Sequence, residues 1–426
     1  MTMPPTPISL SRRSLLAGGV GAMGAGGLLV GCGSPAGDAA VLNAGITDDT
    51  VILGQTWPTS GAAAAVYGPM LEAERAWIRH INEDLGGVSM RDGRTRRIEL
   101  RTLDDGLDPS RAVQNARQLV ERDGVFAIIS PAGTANSGAV ATYTERMAIP
   151  LLYVVSGAEH WTDPLRHRWS VALQPPGAFE GRMWARWLHA NRPSARVGLL
   201  RDNTDFGHDL ERGFVDEGQR LGSQVQLVAT QGYQPIDTTL TSQMTNLKAS
   251  GADVFFNGAT PQFAALGYKA LVRSGWSPGL NILTNASADV RNVIAPAGND
   301  ALQGIRCFIY LKDPTDPQWA DDPDVVQWND VLDRHAPRLS RTLLTFWAPS
   351  LLQATVETLK AAEAPTRAAV MAAAHRLDAT LPALVPGIRV HNTPQTNMPI
   401  SQFAMAELRG ASFVLTGDIV RAGQPA

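Results

Sequence analysis

Apolar residues come along this chain in short runs separated by stretches of helical period. Residues 125–129, Val-Phe-Ala-Ile-Ile, form an unbroken apolar run of the kind carried by a strand buried on both faces. The run breaks at Ser130, Pro131, Ala132 and Gly133, a turn cluster, and a helical pattern then starts at Thr134 and carries Val140, Tyr143 and Met147. A small, hydroxyl-rich turn here leaves backbone N–H groups open at the helix start. Those groups and the Thr134 hydroxyl suit a carboxylate or another polar head group. The plain alternative is an N-capped βα turn with nothing bound. Repetition of similar turns along the chain favours the binding reading.

The rest of the chain has the same rhythm. Residues 51–55 predict a strand closing on Trp57, Pro58, Thr59, Ser60 and Gly61, followed by a helix over 67–82 that Gly86 and Gly87 end. Residues 98–103 predict the next strand, and Asp108-Pro109 opens a helix as N-cap and first helical residue. A strand at 151–155 ends on Ser156, Gly157 and Ala158. The pattern then restarts, with strands at 197–200, 225–229, 254–256 and 282–283. Their turns hold Asn203 to Gly207, Asn257 to Pro261, and Thr284 to Ser287. Alternation of this kind predicts an α/β protein of two doubly wound, parallel-sheet lobes. Helices at 324–335, 345–360 and 366–376 would complete the first lobe, and 403–415 reads as a hairpin around Arg409-Gly410.

The N-terminus alters the picture of where the chain works. Ser11-Arg12-Arg13-Ser14-Leu15-Leu16 precedes an uncharged, Gly- and Ala-rich segment that is short and glycine-broken for a membrane span. It resembles a twin-arginine export signal. Leu29-Val30-Gly31-Cys32 resembles a lipobox, which would make Cys32 the lipidated first residue of the mature chain; a plain secretory signal with an incidental cysteine is the alternative. Residues 33–44 are a small-residue tether spanning about 20 Å. Without Arg12 and Arg13 the chain has 35 Lys and Arg against 40 Asp and Glu, a charge of −5, and no basic run suggests nucleic acid. Cys307 then has no partner for a disulfide and sits in a strand pattern, where burial is expected.

Taken in order, Pro58-Thr59-Ser60-Gly61 with Tyr67-Gly68, Ile81-Asn82 with Gly86-Gly87, and Leu103-Asp104-Asp105 with Asp108-Pro109 form a series that Asp205-Phe206-Gly207 and Gly251-Ala252-Asp253 continue. Over residues 46–420 this resembles the solute-binding proteins of ABC importers, of the branched-chain amino acid type with the type I periplasmic-binding fold. The resemblance implies two lobes joined by three crossover segments, placed near 169–173, 305–308 and 387–390. Lobe 1 would comprise 45–170 and 308–388, and lobe 2 171–307 and 389–421, behind a signal peptide at 1–31 and a tether at 32–44. It implies a monomer that uses no cofactor and passes a small-molecule solute to permease and ATPase subunits, held to the membrane by its lipid. Ligand-binding positions carried over by motif are Thr134 with Gly133 and Ala135, then Ser156 and Gly157, an aromatic wall from Tyr67 and Trp57, Phe206, and the turns Gly258-Ala259 and Asn285-Ala286.

Two departures bear on the ligand. Amino-acid binders of that family carry an acidic residue near the position of Ala286 and an aromatic near Ala259, and neither is present. Asp205 and Asp289 are near enough in sequence to substitute. The expectation is therefore a small carboxylate, amide or aromatic-acid ligand rather than an α-amino acid. Glu159, His160, Asp163 and His167 cluster as a metal site would, but a polar loop with Pro164 favours solvated side chains. Trp184 and Trp187, with Met183 and Leu188, read as helix packing. No metalloprotease, Walker or nucleophile-elbow motif occurs. A lipid-anchored ligand sensor and a secreted α/β hydrolase are the alternatives, the latter without a nucleophile and base.

Overall fold

The computed structural model describes residues 44–422 apart from 62 and 235. The signal segment, Cys32 and the tether up to residue 43 lie outside the described residues. The first sheet is built from β1 (Thr50–Trp57), β2 (Val88–Ser89), β3 (Thr95–Asp104), β4 (Ala127–Ile129), β5 (Leu151–Val154) and β6 (Ser170–Ala172). Its order is β2-β3-β1-β4-β5-β6, parallel throughout except for β2 against β3. The crossover helices are α1 (Ala64–Arg79), α2 (Pro109–Glu121) and α3 (Thr134–Met147). Strands β4 and β5 are buried at every position, because helices cover both faces of the sheet. At α2 the Asp108 carboxylate accepts from the N–H groups of Ser110 and Arg111, with Pro109 at the first helical position.

After β6 the chain leaves for the second sheet. There α4 (Gly177–Asn191), β7 (Arg196–Asp202), α5 (Asp205–Arg220), β8 (Gln226–Tyr233), α6 (Thr241–Ala249), β9 (Val254–Gly258), α7 (Pro261–Ser274), β10 (Leu280–Leu283) and β11 (Arg306–Ile309) follow. The chain then returns to the first lobe as α8 (Pro323–His335), α9 (Leu343–Ala361) and α10 (Arg367–Ala374), with α8 and α9 against α1. Strands β12 (Asp378–Ala379) and β13 (Val390–His391) pair as a short ribbon, and β14 (Gln402–Arg409) and β15 (Ser412–Arg421) close the second sheet as an antiparallel hairpin. The second order is β15-β14-β11-β10-β9-β7-β8.

The passages at 169–173 and 305–308 turn out to be β6 and β11 themselves, with the crossing directly after each. The third differs from expectation. Val390 pairs with Ala379 in the β12–β13 ribbon, so residues 387–390 do not cross, and the second sheet is regained only at β14. Helices α4 and α5 pack closely because glycines face each other. A Cβ at Gly213 would stand 2.2 Å from the Ala178 carbonyl oxygen. Trp184 is fully buried against Phe308 and Phe256, Trp187 lies under the Arg306 guanidinium, and Cys307 is buried.

Candidate functional site

In the first sheet the strand order reverses between β1 and β4, and in the second between β7 and β9. Ligands of open α/β sheets bind at such reversal points, outside the carboxyl ends of the strands. Here the two sets of strand ends line one cavity of about 200 Å³ between the lobes.

On the first-lobe side the β4–α3 turn is held in left-handed backbone, with Ser130 at φ 49° and Gly133 at φ 87°. Gly133 is the N-cap and offers no side chain, and Ser137 N–H makes the first intrahelical bond, to Gly133 O, at 2.9 Å. The N–H groups of Thr134, Ala135 and Asn136 thus begin the helix without a side-chain cap, at the positive end of its dipole. Thr134 Oγ1 and Ser156 Oγ share a hydrogen bond of 2.9 Å across the β4 and β5 turns. Tyr67 comes from the first turn of α1, and burial followed by the Asp105 carboxylate pushes its hydroxyl up to about 12. Leu343, Leu344 and Trp347, from the start of α9, close the apolar wall.

The second-lobe side is aromatic and rich in acceptors. Tyr233 stacks on Phe263 with centroids 4.3 Å apart, and its hydroxyl accepts from Thr260 N–H at 2.9 Å. Asp202, the last residue of β7, accepts through Oδ1 from Thr204 N–H, the Thr204 hydroxyl (2.9 Å) and Gly207 N–H (2.9 Å). Burial raises its pKa, against the pull of those bonds. Asn285 lies on Glu180, which is fully buried on α4. Glu180 accepts from Thr284 Oγ1 at 2.6 Å, from Asn285 N–H at 2.8 Å and from the Asn285 amide group. Burial pushes Glu180 up to about 7 despite those donors.

Nine of the twelve positions expected from sequence line this cavity: Tyr67, Gly133, Thr134, Ala135, Ser156, Gly157, Phe206, Asn285 and Ala286. Three do not. Trp57 is 1% exposed behind Tyr67, donating from Nε1 to the Tyr67 carbonyl at 2.8 Å, so it supports the aromatic wall without forming it. Gly258 is packed against Leu210 and the Leu200 carbonyl. Ala259 is fully buried with its carbonyl taken by Ser287 Oγ; α7 begins two residues later and presents Thr260, Pro261 and Phe263 instead. Gly157 contributes space: a Cβ there would stand 2.8 Å from the Phe206 ring, which reaches over from the other lobe.

The substitute acids named from sequence are elsewhere. Asp205 is exposed and faces His160, with 3.9 Å between Oδ2 and Nε2, and Asp289 is buried as the cap of Asn292. His160 and His167 hydrogen-bond to each other at 2.9 Å beside an adjoining, more polar cavity of about 480 Å³. His167 is buried, so the expectation of solvated side chains fails for it: the ring packs on Trp161. Sequence reasoning also missed Tyr233, Phe263 and Trp347, whose apolar surroundings read as core, and Asp202, which closes a strand rather than lying in the turn.

The arrangement can hold a small, mostly apolar solute with polar ends. Among the described residues of this lining there is no histidine, lysine or arginine.

The same fold recurs among solved structures. The ABC transporter substrate binding protein of Aeropyrum pernix matches with a TM-score of 0.76 at 14% identity, over 88% of this chain and 97% of that one. An R. palustris ABC transporter solute binding protein in complex with 4-hydroxybenzoate matches with a TM-score of 0.71 at 16% identity, over 88% and 97%. A fatty acid ABC transporter substrate-binding protein from Thermomonospora curvata matches with a TM-score of 0.71 at 19% identity, over 89% and 92%. No curated protein matches. The periplasmic binding protein family model covers residues 50–412, and the chain belongs to that family.

Proposed function

We propose that this protein is the extracytoplasmic solute-binding component of an ABC importer and not an enzyme. The observation that carries the reading is the cavity between facing strand ends, which takes its lining from both lobes at once. A solute that touches both lobes stabilises the closed form by its differential affinity for it. The closed complex would then dock on a permease, and a partner ATPase would drive release. The solute is a branched-chain amino acid-like molecule, an amide, or an aromatic or aliphatic carboxylate, seated with its acceptor end on Thr134, Ser156 and the start of α3. The structural neighbours bound to 4-hydroxybenzoate or described for fatty acids support an apolar body with one polar end.

With the crossings placed after β6, after β11 and before β14, lobes at 45–172 with 310–401 and at 173–309 with 402–421, a signal at 1–31, a tether at 32–44, a lipid on Cys32 and a monomeric state complete the proposal. A thermal-shift screen over these solute classes, followed by calorimetry on the hits, tests it. Thr134→Ala should weaken binding by about 1–2 kcal/mol through one lost polar contact. Unchanged affinity would remove Thr134 from the site, and a screen without hits together with scattering that shows no closure would end the assignment. Metabolic labelling with a fatty-acid probe, lost in Cys32→Ser, tests the anchor.

A further inference from the structure

A second, cationic pocket lies on lobe 1 and shares no lining residue with the cavity between the lobes. It measures about 250 Å³ and is formed by Pro164 and Arg168 from the segment before β6, by Ala372, His375 and Arg376 around the end of α10, and by Pro394. In a chain of net negative charge it gathers positive groups. Arg168 and Arg376 are exposed, and neither side chain makes a hydrogen bond or ion pair among the described residues. His375 Nδ1 lies 2.7 Å from Asn397 Oδ1, and Nε2 lies 3.1 Å from the Arg168 carbonyl oxygen. The Asn397 amide nitrogen is turned to the Ser170 carbonyl, so both ring nitrogens face acceptors, and only the protonated ring donates to both. A third positive charge is thus available to the pocket.

No acid is among the described lining. The acids on adjoining segments are engaged elsewhere. Asp163 accepts from the N–H groups of Leu165 and Arg166, Glu145 accepts from Trp169 N–H and Ser170 Oγ, and Asp378 pairs with Arg389 and faces His391. The helix dipole favours basic groups at the end of α10, which accounts for His375 and Arg376 but not for Arg168, brought in by a different segment. Beside the pocket, Leu165 is 78% exposed, and Arg166 next to it is exposed without an ion pair. An apolar side chain among arginines suits an anionic lipid surface. The N-terminal segment joins the body close by. The Ala44 carbonyl accepts from Arg367 Nη2 at 3.4 Å, and Arg367 opens the eight-residue α10, whose other end carries the pocket about 12 Å away. A chain held to a membrane through its N-terminal segment would present this face to the headgroups.

We infer that Arg168, His375 and Arg376 form a site for a phosphate group supplied by the headgroups of an anionic lipid surface, with Leu165 entering that surface beside it. The site is independent of the solute cavity and of a lipid on Cys32. All of its residues belong to lobe 1, so docking there sets how that lobe stands on the membrane and leaves lobe 2 free to close.

The test is sedimentation of the mature, unlipidated chain with vesicles of phosphatidylcholine, with and without phosphatidylglycerol. The chain should bind the vesicles that contain phosphatidylglycerol and not the others. Arg168→Gln together with Arg376→Gln should weaken that binding by about tenfold or more, and Leu165→Ser by about threefold, with the melting temperature unchanged. Arg91→Gln together with Arg273→Gln removes the same charge from exposed positions elsewhere and should leave binding within about twofold. Equal losses in the two paired variants would overturn the site, because binding would then follow net charge alone. Calorimetry with inorganic phosphate separates the sources. Phosphate binding that is lost in the Arg168 and Arg376 variant, without binding to either vesicle, overturns the lipid as the source. Binding of neither phosphate nor phosphatidylglycerol vesicles overturns the inference altogether.

Discussion

Glu180 offers a measurement of how the floor of the site is held. It is fully buried on α4, its oxygens face Thr284 and Asn285, and burial pushes it up to about 7 from 4.5. A carboxyl raised in this way keeps its proton in the folded chain after the unfolded chain has lost it. Its contribution to stability is therefore complete below about pH 4.5, declines as the pH rises to about 7, and is flat above that. At about 1.4 kcal/mol for each unit of pKa, the decline amounts to about 3 kcal/mol. Glu180→Gln is neutral at every pH and has no such slope. The variant should be less stable than the parent at pH 5, by about 1–2 kcal/mol for an imperfect hydrogen-bond match. The gap should then close or reverse by pH 8. Urea titrations of both proteins at pH 5, 6, 7 and 8 read the difference directly. Differencing cancels Glu74, also pushed up to about 7 by burial, and His167, which slopes the other way. A difference that stays flat from pH 5 to pH 8 would refute the reasoning, since the donors around Glu180 would then be keeping it ionised throughout.

Three further outcomes follow from the packing and the second titrating cluster. Gly157→Ala places a methyl 2.8 Å from the Phe206 ring of the other lobe and 2.9 Å from the Pro175 carbonyl oxygen; ligand affinity should fall by about tenfold as closure is hindered, which calorimetry checks, and unchanged affinity would show that the two lobes do not approach here. Gly213→Ala drives a Cβ against the Ala178 carbonyl where α4 and α5 cross, and should cost about 3 kcal/mol or block folding, read from the melting temperature. His167 is held down to about 4 by burial, then by His160, so its share of stability is intact above about pH 6.5 and lost as the pH falls towards 4; His167→Asn should flatten the acid limb of the stability profile by about 1–2 kcal/mol, allowing for water access, and an unchanged limb would argue against burial as the cause.

How far the chain could be read depends on whether a feature is local. The strands and turns of both lobes follow from apolar runs broken by small polar residues, and the Gly133-Thr134 and Ser156-Gly157 turns were legible because each ends a strand and opens a new segment within a few residues. What brings them together is not local: the 2.9 Å hydroxyl pair exists only because β4 and β5 are neighbours in the sheet. Trp57 was misplaced because sequence shows that an aromatic closes β1 but not which side it faces, and α1 folds Tyr67 over it. Trp347 was invisible for the opposite reason. It lies in an apolar helix whose residues are nearly all buried, and only the return of the chain from the second lobe points one turn of that helix into the cleft. Asp202 shows the limit most clearly. It is the last residue of a strand, outside the turn that follows, and one of its oxygens is taken up by Thr204 and Gly207 at the start of α5. That Asp202 lines a cavity without a basic side chain among its described residues depends on α7, α9 and the turn after β10 arriving from three separate parts of the sequence. The cleft is thus assembled from segments far apart in the chain, and no local motif contains it.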